Sequence, residues 1–174
     1  MEKQNIYQDI SARTGGEIYL GVVGPVRSGK STFIKRFMEL LVLPEIKDEN
    51  ERKRTMDELP QSGTGKMVMT TEPKFIPKEA AELPMEDMKI KIRLIDCVGF
   101  MIPGAGGNLE NGQERLVKTP WFDYEGPFTK AAEFGTRKVI RDHSTIGILV
   151  TADGSFGEIP RDSYVEAEQK TVAE

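Results

Sequence analysis

Hydrophobic positions near the start of the chain form one run of strand length and one helical repeat. Residues 18–23 (IYLGVV) are continuously apolar, which is typical of a strand covered on both faces of a parallel sheet. Across residues 30–43, apolar side chains recur every three or four positions and predict an amphipathic helix that ends at Pro44. The predicted apolar face of this helix comprises Phe33, Ile34, Phe37, Met38 and Leu41.

Further elements follow from the same two patterns. Residues 89–96 (KIKIRLID) alternate charged and aliphatic side chains, which predicts a strand with one polar face, and residues 72–76 (EPKFI) predict an edge strand. Residues 129–143 and 159–173 have helical spacing, and residues 145–151 (TIGILVT) predict another buried strand. This order of elements predicts an α/β fold with a mostly parallel sheet flanked by helices.

Other segments carry weaker patterns. Residues 5–14 predict a short helix, ended by the glycine pair that follows it. The mixed charges of residues 47–59 predict a solvated helix or loop, and residues 63–71 predict a loop that leads into a strand. Residues 97–127 are rich in glycine and proline and predict one long loop, of a kind that often carries function.

Composition narrows the class of protein. With 174 residues, 38% of them hydrophobic, the chain fits a single domain spanning 1–174. The net charge of -4 lacks the basic footprint of a nucleic-acid-binding protein, so we expect no nucleic-acid partner. The single cysteine, Cys97, has no disulfide partner in the chain, which suits a reducing cytosol. No apolar run approaches the roughly 20 residues that cross a bilayer, so we expect no transmembrane segment and only peripheral membrane contact.

Residues 24–31 (GPVRSGKS) match the pattern G-x-x-x-x-G-K-[ST] between a predicted strand and a predicted helix. Glycines let the backbone curl so that its N–H groups face a phosphate chain, and the pattern therefore predicts a P-loop. Lys30 is placed to reach the β- and γ-phosphates, and Ser31 to bind Mg2+. Arg27 has two interpretations, a phosphate contact or a solvated side chain. The predicted nucleotide-binding residues of the loop are Gly24, Arg27, Ser28, Gly29, Lys30, Ser31 and Thr32.

Two further signals follow the loop. Asp96 ends the KIKIRLID strand and begins a D-x-x-G pattern, so its carboxylate is placed to hold Mg2+ through water and Gly99 to donate its N–H to a γ-phosphate. Alternatively, Asp96 caps an ordinary turn. Thr70 and Thr71 stand where a switch threonine binds Mg2+ while the γ-phosphate is present, or they enter a strand because of β-propensity. The predicted catalytic residues are Lys30, Thr70, Thr71 and Asp96, and the predicted metal ligands are Ser31, Thr71 and Asp96.

The residue after the D-x-x-G pattern is Phe100, which cannot orient the attacking water as a glutamine does in Ras-like GTPases. The water-positioning group therefore comes from the threonine pair, the long loop or a neighbouring subunit, and we expect slow or assembly-dependent hydrolysis. The motifs together predict a nucleoside triphosphatase. A GTPase of the translation-factor class shares all of them, and a nucleotide-binding structural protein without turnover or a P-loop kinase would also contain a loop of this kind.

Over its whole length the sequence resembles the N-terminal nucleotide-binding region of the stage IV sporulation protein A family, the coat morphogenetic ATPases of endospore-forming bacteria. The resemblance assigns Lys30 as the P-loop lysine, Thr70 and Thr71 as sensor threonines, and Asp96 as the Walker B aspartate. It rests on the segments ARTGGEIYLGVVGPVRSGKSTFIKRFMELLVLP, DELPQS, MTTEPKF, IRLIDCVGF, TPWF and GTRKVIRDHSTIGILVTADGS.

The resemblance implies a fold related to translation-factor GTPases, adapted to bind and hydrolyse ATP with Mg2+, and hydrolysis that promotes self-assembly into the coat basement layer. It also implies action in the mother-cell cytoplasm at the forespore surface, with a small amphipathic membrane peptide and other spore coat proteins as partners. The family proteins are several hundred residues long, so the resemblance implies a chain truncated at its C-terminus. We therefore expect the apolar strand at 145–151 to form an open sheet edge that promotes association.

Overall fold

The computed structural model describes residues 12–61, 71–85, 88–155 and 159–174. Thr70 lies outside these residues, as do most of the predicted opening helix at 5–14 and most of the predicted loop at 63–71. Of that opening helix, residues 12–14 are described and are helical, and a turn at the glycine pair follows them.

The described residues form strands and helices, with six consecutive strands in the middle of the chain. The strands are β1 (Glu17–Val23), β2 (Lys74–Met85), β3 (Met88–Asp96), β4 (Leu109–Glu110), β5 (Gln113–Glu114), β6 (Leu116–Thr119), β7 (Phe122–Pro127) and β8 (Ile146–Leu149). The α-helices are α1 (Lys30–Phe37), α2 (Glu49–Asp57), α3 (Phe128–Lys138) and α4 (Asp162–Ala173).

The main sheet has four strands in the order β2-β3-β1-β8. β1 runs parallel to β3 and to β8, with Val22 opposite Asp96 on one side and opposite Ile148 on the other. β2 is antiparallel to β3, with Lys74 opposite Asp96. The fold is therefore α/β with a mixed sheet, in which the predicted edge strand is antiparallel and longer than the sequence indicated.

The central strands carry the core because they are covered on both faces. Val22 and Leu94 are fully buried in a cluster with Ile34 of α1, whereas Ile95 packs against Val139 after α3. Neighbouring residues of β1 and β3 thus face opposite helical layers, as the pleat of a strand requires. Each fully buried aliphatic side chain contributes about 1.5–3 kcal/mol to the stability of the fold.

The helix predicted at 30–43 is α-helical only as far as Phe37. A π-helical turn at Met38–Val42 and a 3-10 turn at Leu43–Glu45 follow, so the chain leaves helical structure just after Pro44 rather than at it. The predicted apolar face is wrong at Leu41, which is 55% exposed. A π turn adds a residue to the helical repeat and rotates the side chains that follow it out of register.

The prediction of one long loop at 97–127 is also wrong. Two small antiparallel hairpins, β4–β5 and β6–β7, occupy its second half. Their strands are two to six residues long, and most of their side chains are exposed or half-buried, so the hydrophobic pattern carried no period-two signal. The predicted helices at 129–143 and 159–173 correspond to α3 with a π turn at Val139–His143 and to α4.

β8 forms one edge of the main sheet, and in the described part of the chain only β1 pairs with it. Ile146 and Leu149 are each 42% exposed, so the expectation of a strand buried on both faces is wrong at these positions, whereas the open edge is as expected. None of the helices in the described ranges is long and apolar enough to cross a membrane.

Candidate functional site

The loop at 24–31 joins the end of β1 to the start of α1 and is held by backbone contacts. The Val26 N–H donates to the carbonyl of Phe100 over 2.9 Å, which ties the loop to the segment that follows β3. Gly24 has a φ of 136°, and a Cβ there would lie 2.2 Å from the Val150 carbonyl oxygen. Only glycine fits this position, because the backbone is left-handed and a side chain has no space.

Lys30, the first residue of α1, is a buried cation. Its ammonium group donates to the carbonyl oxygen of Pro25 over 2.6 Å, within the same loop. Burial lowers the pKa of Lys30, and the nearby Cys97 and Asp96 oppose this shift. A buried ammonium with one backbone acceptor has unused donors for an anion.

Ser31 and Asp96 meet at the end of β3. The Ser31 hydroxyl donates to Asp96 Oδ2 over 2.7 Å, and Asp96 Oδ1 is buried with no hydrogen-bond partner among the described residues. Burial raises the pKa of Asp96, against the hydrogen bond from Ser31 and the charge of Lys30. A bound cation beside Asp96 would favour its charged form and so oppose the effect of burial.

The donor set fits Mg2+ bound together with a phosphate chain. One hydroxyl and one carboxylate suit an ion that prefers oxygen ligands and keeps several waters, taking its remaining ligands from a substrate. Among the residues described, no cluster of three or more His, Cys, Asp or Glu side chains offers an all-protein metal cage. The orphaned Asp96 Oδ1 is the observation that favours a cation here.

The other predicted loop residues differ in their exposure. Ser28 is buried, and its hydroxyl has no partner in the described part of the chain. Arg27 is exposed at a φ of 59°, and Gly29 and Thr32 are exposed as well. The structure thus places Ser28 and Lys30 inside the loop and Arg27 and Thr32 at its surface.

Gly99 packs directly on the loop. A Cβ at this residue would lie 2.2 Å from the Gly24 carbonyl oxygen and 2.8 Å from the Lys30 ammonium nitrogen. Its N–H, which the sequence predicts to face a γ-phosphate, instead donates to the hydroxyl of Thr136 in α3 over 3.1 Å. The sequence analysis did not identify Thr136. The only signal for it is a polar residue on the buried face of a helix.

Thr71 is buried three residues before Lys74, the residue that pairs with Asp96. A Cβ at Gly135 would lie 2.7 Å from the Thr71 carbonyl oxygen, so the threonine segment packs closely on α3. Its role as a switch residue stays a prediction, and Thr70 lies outside the described residues.

Phe100 and Cys97 are core residues. Phe100 is fully buried with Val26 and with Tyr164 of α4, so it orients no water. The Cys97 thiol is buried and donates to the Val22 carbonyl over 3.5 Å, and burial raises the pKa of Cys97. Both residues fix the segment after Asp96 in place.

The chain is similar to about a third of the length of several stage IV sporulation proteins A. It is 55% identical to stage IV sporulation protein A of Bacillus anthracis and of Bacillus subtilis (strain 168), in each case over 100% of this chain and 36% of the relative. It is 57% identical to stage IV sporulation protein A of Clostridioides difficile (strain 630), over 98% of this chain and 35% of that protein. The chain thus spans about a third of the length of these relatives.

No solved structure matches the chain significantly. The family model described as stage IV sporulation protein A, ATPase domain, matches residues 1–174, which is the whole sequence. The chain therefore belongs to the family of stage IV sporulation protein A ATPase domains.

Proposed function

We infer that the chain is a P-loop nucleotide-binding domain that binds Mg-ATP and hydrolyses it to ADP and phosphate. The observation that carries this inference is the Ser31–Asp96 pair beside the buried Lys30, with Asp96 Oδ1 left without a partner in the described ranges. The family of ATPase domains to which the chain belongs supports ATP as the nucleotide.

Each residue has a role that follows from its position. Lys30 leaves Pro25 to bind the β- and γ-phosphates, and the backbone of the loop with Ser28 holds the remaining phosphate oxygens. Ser31 and Asp96 would hold Mg2+, which when bound would neutralise charge that develops on the phosphates. In hydrolysis a water oxygen bonds to the γ-phosphorus as the bond from phosphorus to the β–γ bridging oxygen breaks. The bridging oxygen stays on ADP, one water proton stays on the phosphate product and the other passes to solvent.

Thr71, with Thr70, is the proposed sensor of the γ-phosphate. The hydroxyl of a switch threonine reaches the metal while the triphosphate is intact and is released after cleavage. The close contact of the Thr71 carbonyl with Gly135 provides the path by which this change reaches α3. Magnesium thus has Ser31, Thr71 and Asp96 as its proposed protein ligands.

We further propose that hydrolysis serves self-assembly of a spore coat protein in the mother-cell cytoplasm, at the forespore surface. The relatives named stage IV sporulation protein A support a role in sporulation. The proposed partners, a small amphipathic membrane peptide and other coat proteins, are expected to bind regions that the matched third of the relatives does not include.

Calorimetry and phosphate release test the proposal together. We expect Mg-ATP to bind and GTP to compete weakly, and we expect Lys30→Ala and Asp96→Ala to lose phosphate release by at least about a hundredfold. Lys35→Ala, at a half-buried lysine of α1 that pairs with Glu39, is the matched control and should release phosphate as the unaltered protein does. If no nucleotide binds to the folded protein, the proposal is wrong.

Two different functions would give different results in the same experiment. Tighter binding of GTP than of ATP would indicate a GTPase of the translation-factor class. Equal background release from the unaltered protein and both site variants, with nucleotide bound, would indicate a structural protein stabilised by ATP. The full burial of Phe100, which leaves no water-orienting side chain at that position, is the observation that favours this structural role.

A further inference from the structure

Thr136 is a fully buried threonine whose hydroxyl makes two hydrogen bonds. It donates to the Ala132 carbonyl over 2.8 Å, one turn earlier in α3, and accepts the Gly99 N–H over 3.1 Å. The first bond fixes the orientation of the hydroxyl, so a lone pair of its oxygen is held toward Gly99. A backbone N–H in the candidate phosphate site is thus satisfied by α3.

Gly99 also lies beside the proposed position of the γ-phosphate. Its Cα is next to the Lys30 ammonium group, since a Cβ built on it would be 2.8 Å from the nitrogen. An N–H has one hydrogen and makes one strong bond, so the Thr136 hydroxyl and a γ-phosphate oxygen compete for it. With its φ of 96°, glycine is the residue that can reorient its peptide in this narrow place.

We propose that Thr136 is a positioning residue that holds the Gly99 N–H whenever the γ-phosphate is absent, and so sets the preference of the site between ATP and ADP. This inference rests on the proposed function. In the ligand-free and ADP-bound states Thr136 satisfies the Gly99 N–H, and the bond stabilises both states relative to the ATP complex. In the ATP state the phosphate takes over the N–H, and Thr136 keeps its bond to Ala132.

The residues on either side of Thr136 also contact the segments that contain Thr71 and Gly99. Gly135 packs against the Thr71 carbonyl and against Trp121, and the Arg137 guanidinium lies 5.5 Å from the centre of the Phe100 ring. Three consecutive residues of α3 therefore contact both segments proposed to sense the γ-phosphate. Release of Gly99 from Thr136 changes the support of both segments through one helix.

Binding constants for two ligands test the proposal. We would measure Mg-ADP and the Mg complex of adenosine 5′-(β,γ-imido)triphosphate by calorimetry, using the intact protein, Thr136→Val and Thr136→Ser. Valine keeps the shape without the acceptor and destabilises the ligand-free and ADP-bound forms alike, so triphosphate affinity should rise about five- to tenfold while ADP affinity is retained. Serine keeps the hydroxyl and should restore the ratio to within about twofold of the unaltered protein.

A purely structural role gives a different result, because Thr136→Val would then weaken both ligands equally and leave their ratio unchanged. That result overturns the proposal. If the unaltered protein binds neither ligand, the proposed function itself has failed, which is a distinguishable outcome.

A second measurement needs no variant. In [15N]glycine-labelled protein, the Gly99 amide resonance should shift between the Mg-ADP and the Mg-imidotriphosphate complexes, because its acceptor changes from hydroxyl to phosphate. Other loop glycines that contact only the shared phosphates serve as internal controls. An unchanged Gly99 resonance in the two complexes overturns the proposal even if Thr136→Val does not fold.

Discussion

Gly99 is, like Gly24, a tightly constrained backbone position in the candidate site. It combines a φ of 96° with a built Cβ 2.2 Å from the Gly24 carbonyl oxygen. Gly104 is a matched control, because its φ is 82° and nothing lies within 4 Å of its Cβ position. The pair separates the cost of a left-handed backbone from the cost of a steric clash.

We expect Gly104→Ala to lower the free energy of unfolding by about 1–2 kcal/mol, the cost of left-handed geometry. Gly99→Ala should lower it by about 1–3 kcal/mol more, because the methyl group also displaces the loop. Urea unfolding monitored by circular dichroism measures both. Equal losses in the two variants would show that the loop moves away from Gly99 without cost.

A second prediction at the residue scale concerns the charge of Asp96. Its Oδ1, unpartnered among the described residues, and its bond from Ser31 are the basis of the proposal that Asp96 binds a cation. Asp96→Asn keeps the shape and an acceptor for Ser31 but removes the charge, so the gain in ATP affinity on adding Mg2+ should fall by about 10–100-fold. ATP affinity in EDTA should be unchanged.

The control for this charge removal is Asp57→Asn, on the exposed α2. It should keep the full dependence of ATP affinity on Mg2+. Calorimetric titrations with Mg2+ and with EDTA give the comparison, and an Asp96→Asn protein that still gains as much from Mg2+ would contradict the assignment.

The elements that the sequence predicted well are those with one strong period. β1 is a continuous apolar run, and the first half of β3 alternates exposed lysines with buried isoleucines, so each strand leaves a clear pattern. The hairpins β4–β5 and β6–β7 have short, largely exposed strands, so no buried face imposed a period on them. The prediction that Leu41 lies on the apolar face was wrong because the local π turn, rather than the hydrophobic pattern, determines where its side chain lies.

The loop at 24–31 was predictable because the residues that define its motif are consecutive in the sequence. Its glycines, lysine and serine act through eight consecutive residues, and Asp96 was found because strand ends meet at one edge of a parallel pair. Thr136 was not found, because its contact with Gly99 joins residues 37 positions apart and depends on how α3 packs. Long-range packing of this kind leaves no spacing for a sequence pattern to reveal.

β8 supports a prediction at the element scale. Its outer edge is unpaired among the described residues, and Ile146 and Leu149 are exposed there. An apolar open edge favours pairing with another chain, and a lysine on the edge opposes it. We therefore expect concentration-dependent association of this chain, and we expect Ile146→Lys to shift it toward monomer.

Sedimentation velocity over a range of protein concentrations measures the association. Val172→Lys is the control, since Val172 is a 74% exposed apolar residue on α4, away from the sheet edge. It should associate as the unaltered chain does. A monodisperse monomer at high concentration, before any substitution, would contradict the prediction.

At the scale of the whole molecule, the residues proposed to bind nucleotide lie together, whereas no side chain that would orient the attacking water is identified among the described residues. The loop, Lys30, Ser31 and Asp96 lie close together, as the proposed nucleotide site requires. The residue after the D-x-x-G pattern, Phe100, is instead a core side chain between the loop and α4. For the proposed function we therefore expect nucleotide binding with slow hydrolysis, because orientation of the water contributes much of the rate in phosphoryl transfer.

The last prediction concerns the group that orients the attacking water, which Phe100 does not supply. If a second copy supplies the water-positioning group, phosphate release per molecule must rise with protein concentration, and it must fall in step with association when Ile146→Lys weakens contact at β8. Nucleotide affinity should stay constant in both comparisons, because the binding residues belong to one chain. Phosphate release measured across a hundredfold dilution series, beside sedimentation of the same samples, tests this coupling. Constant release per molecule through the association transition would instead place the water-positioning group within one chain, with Thr71 as the first residue to substitute.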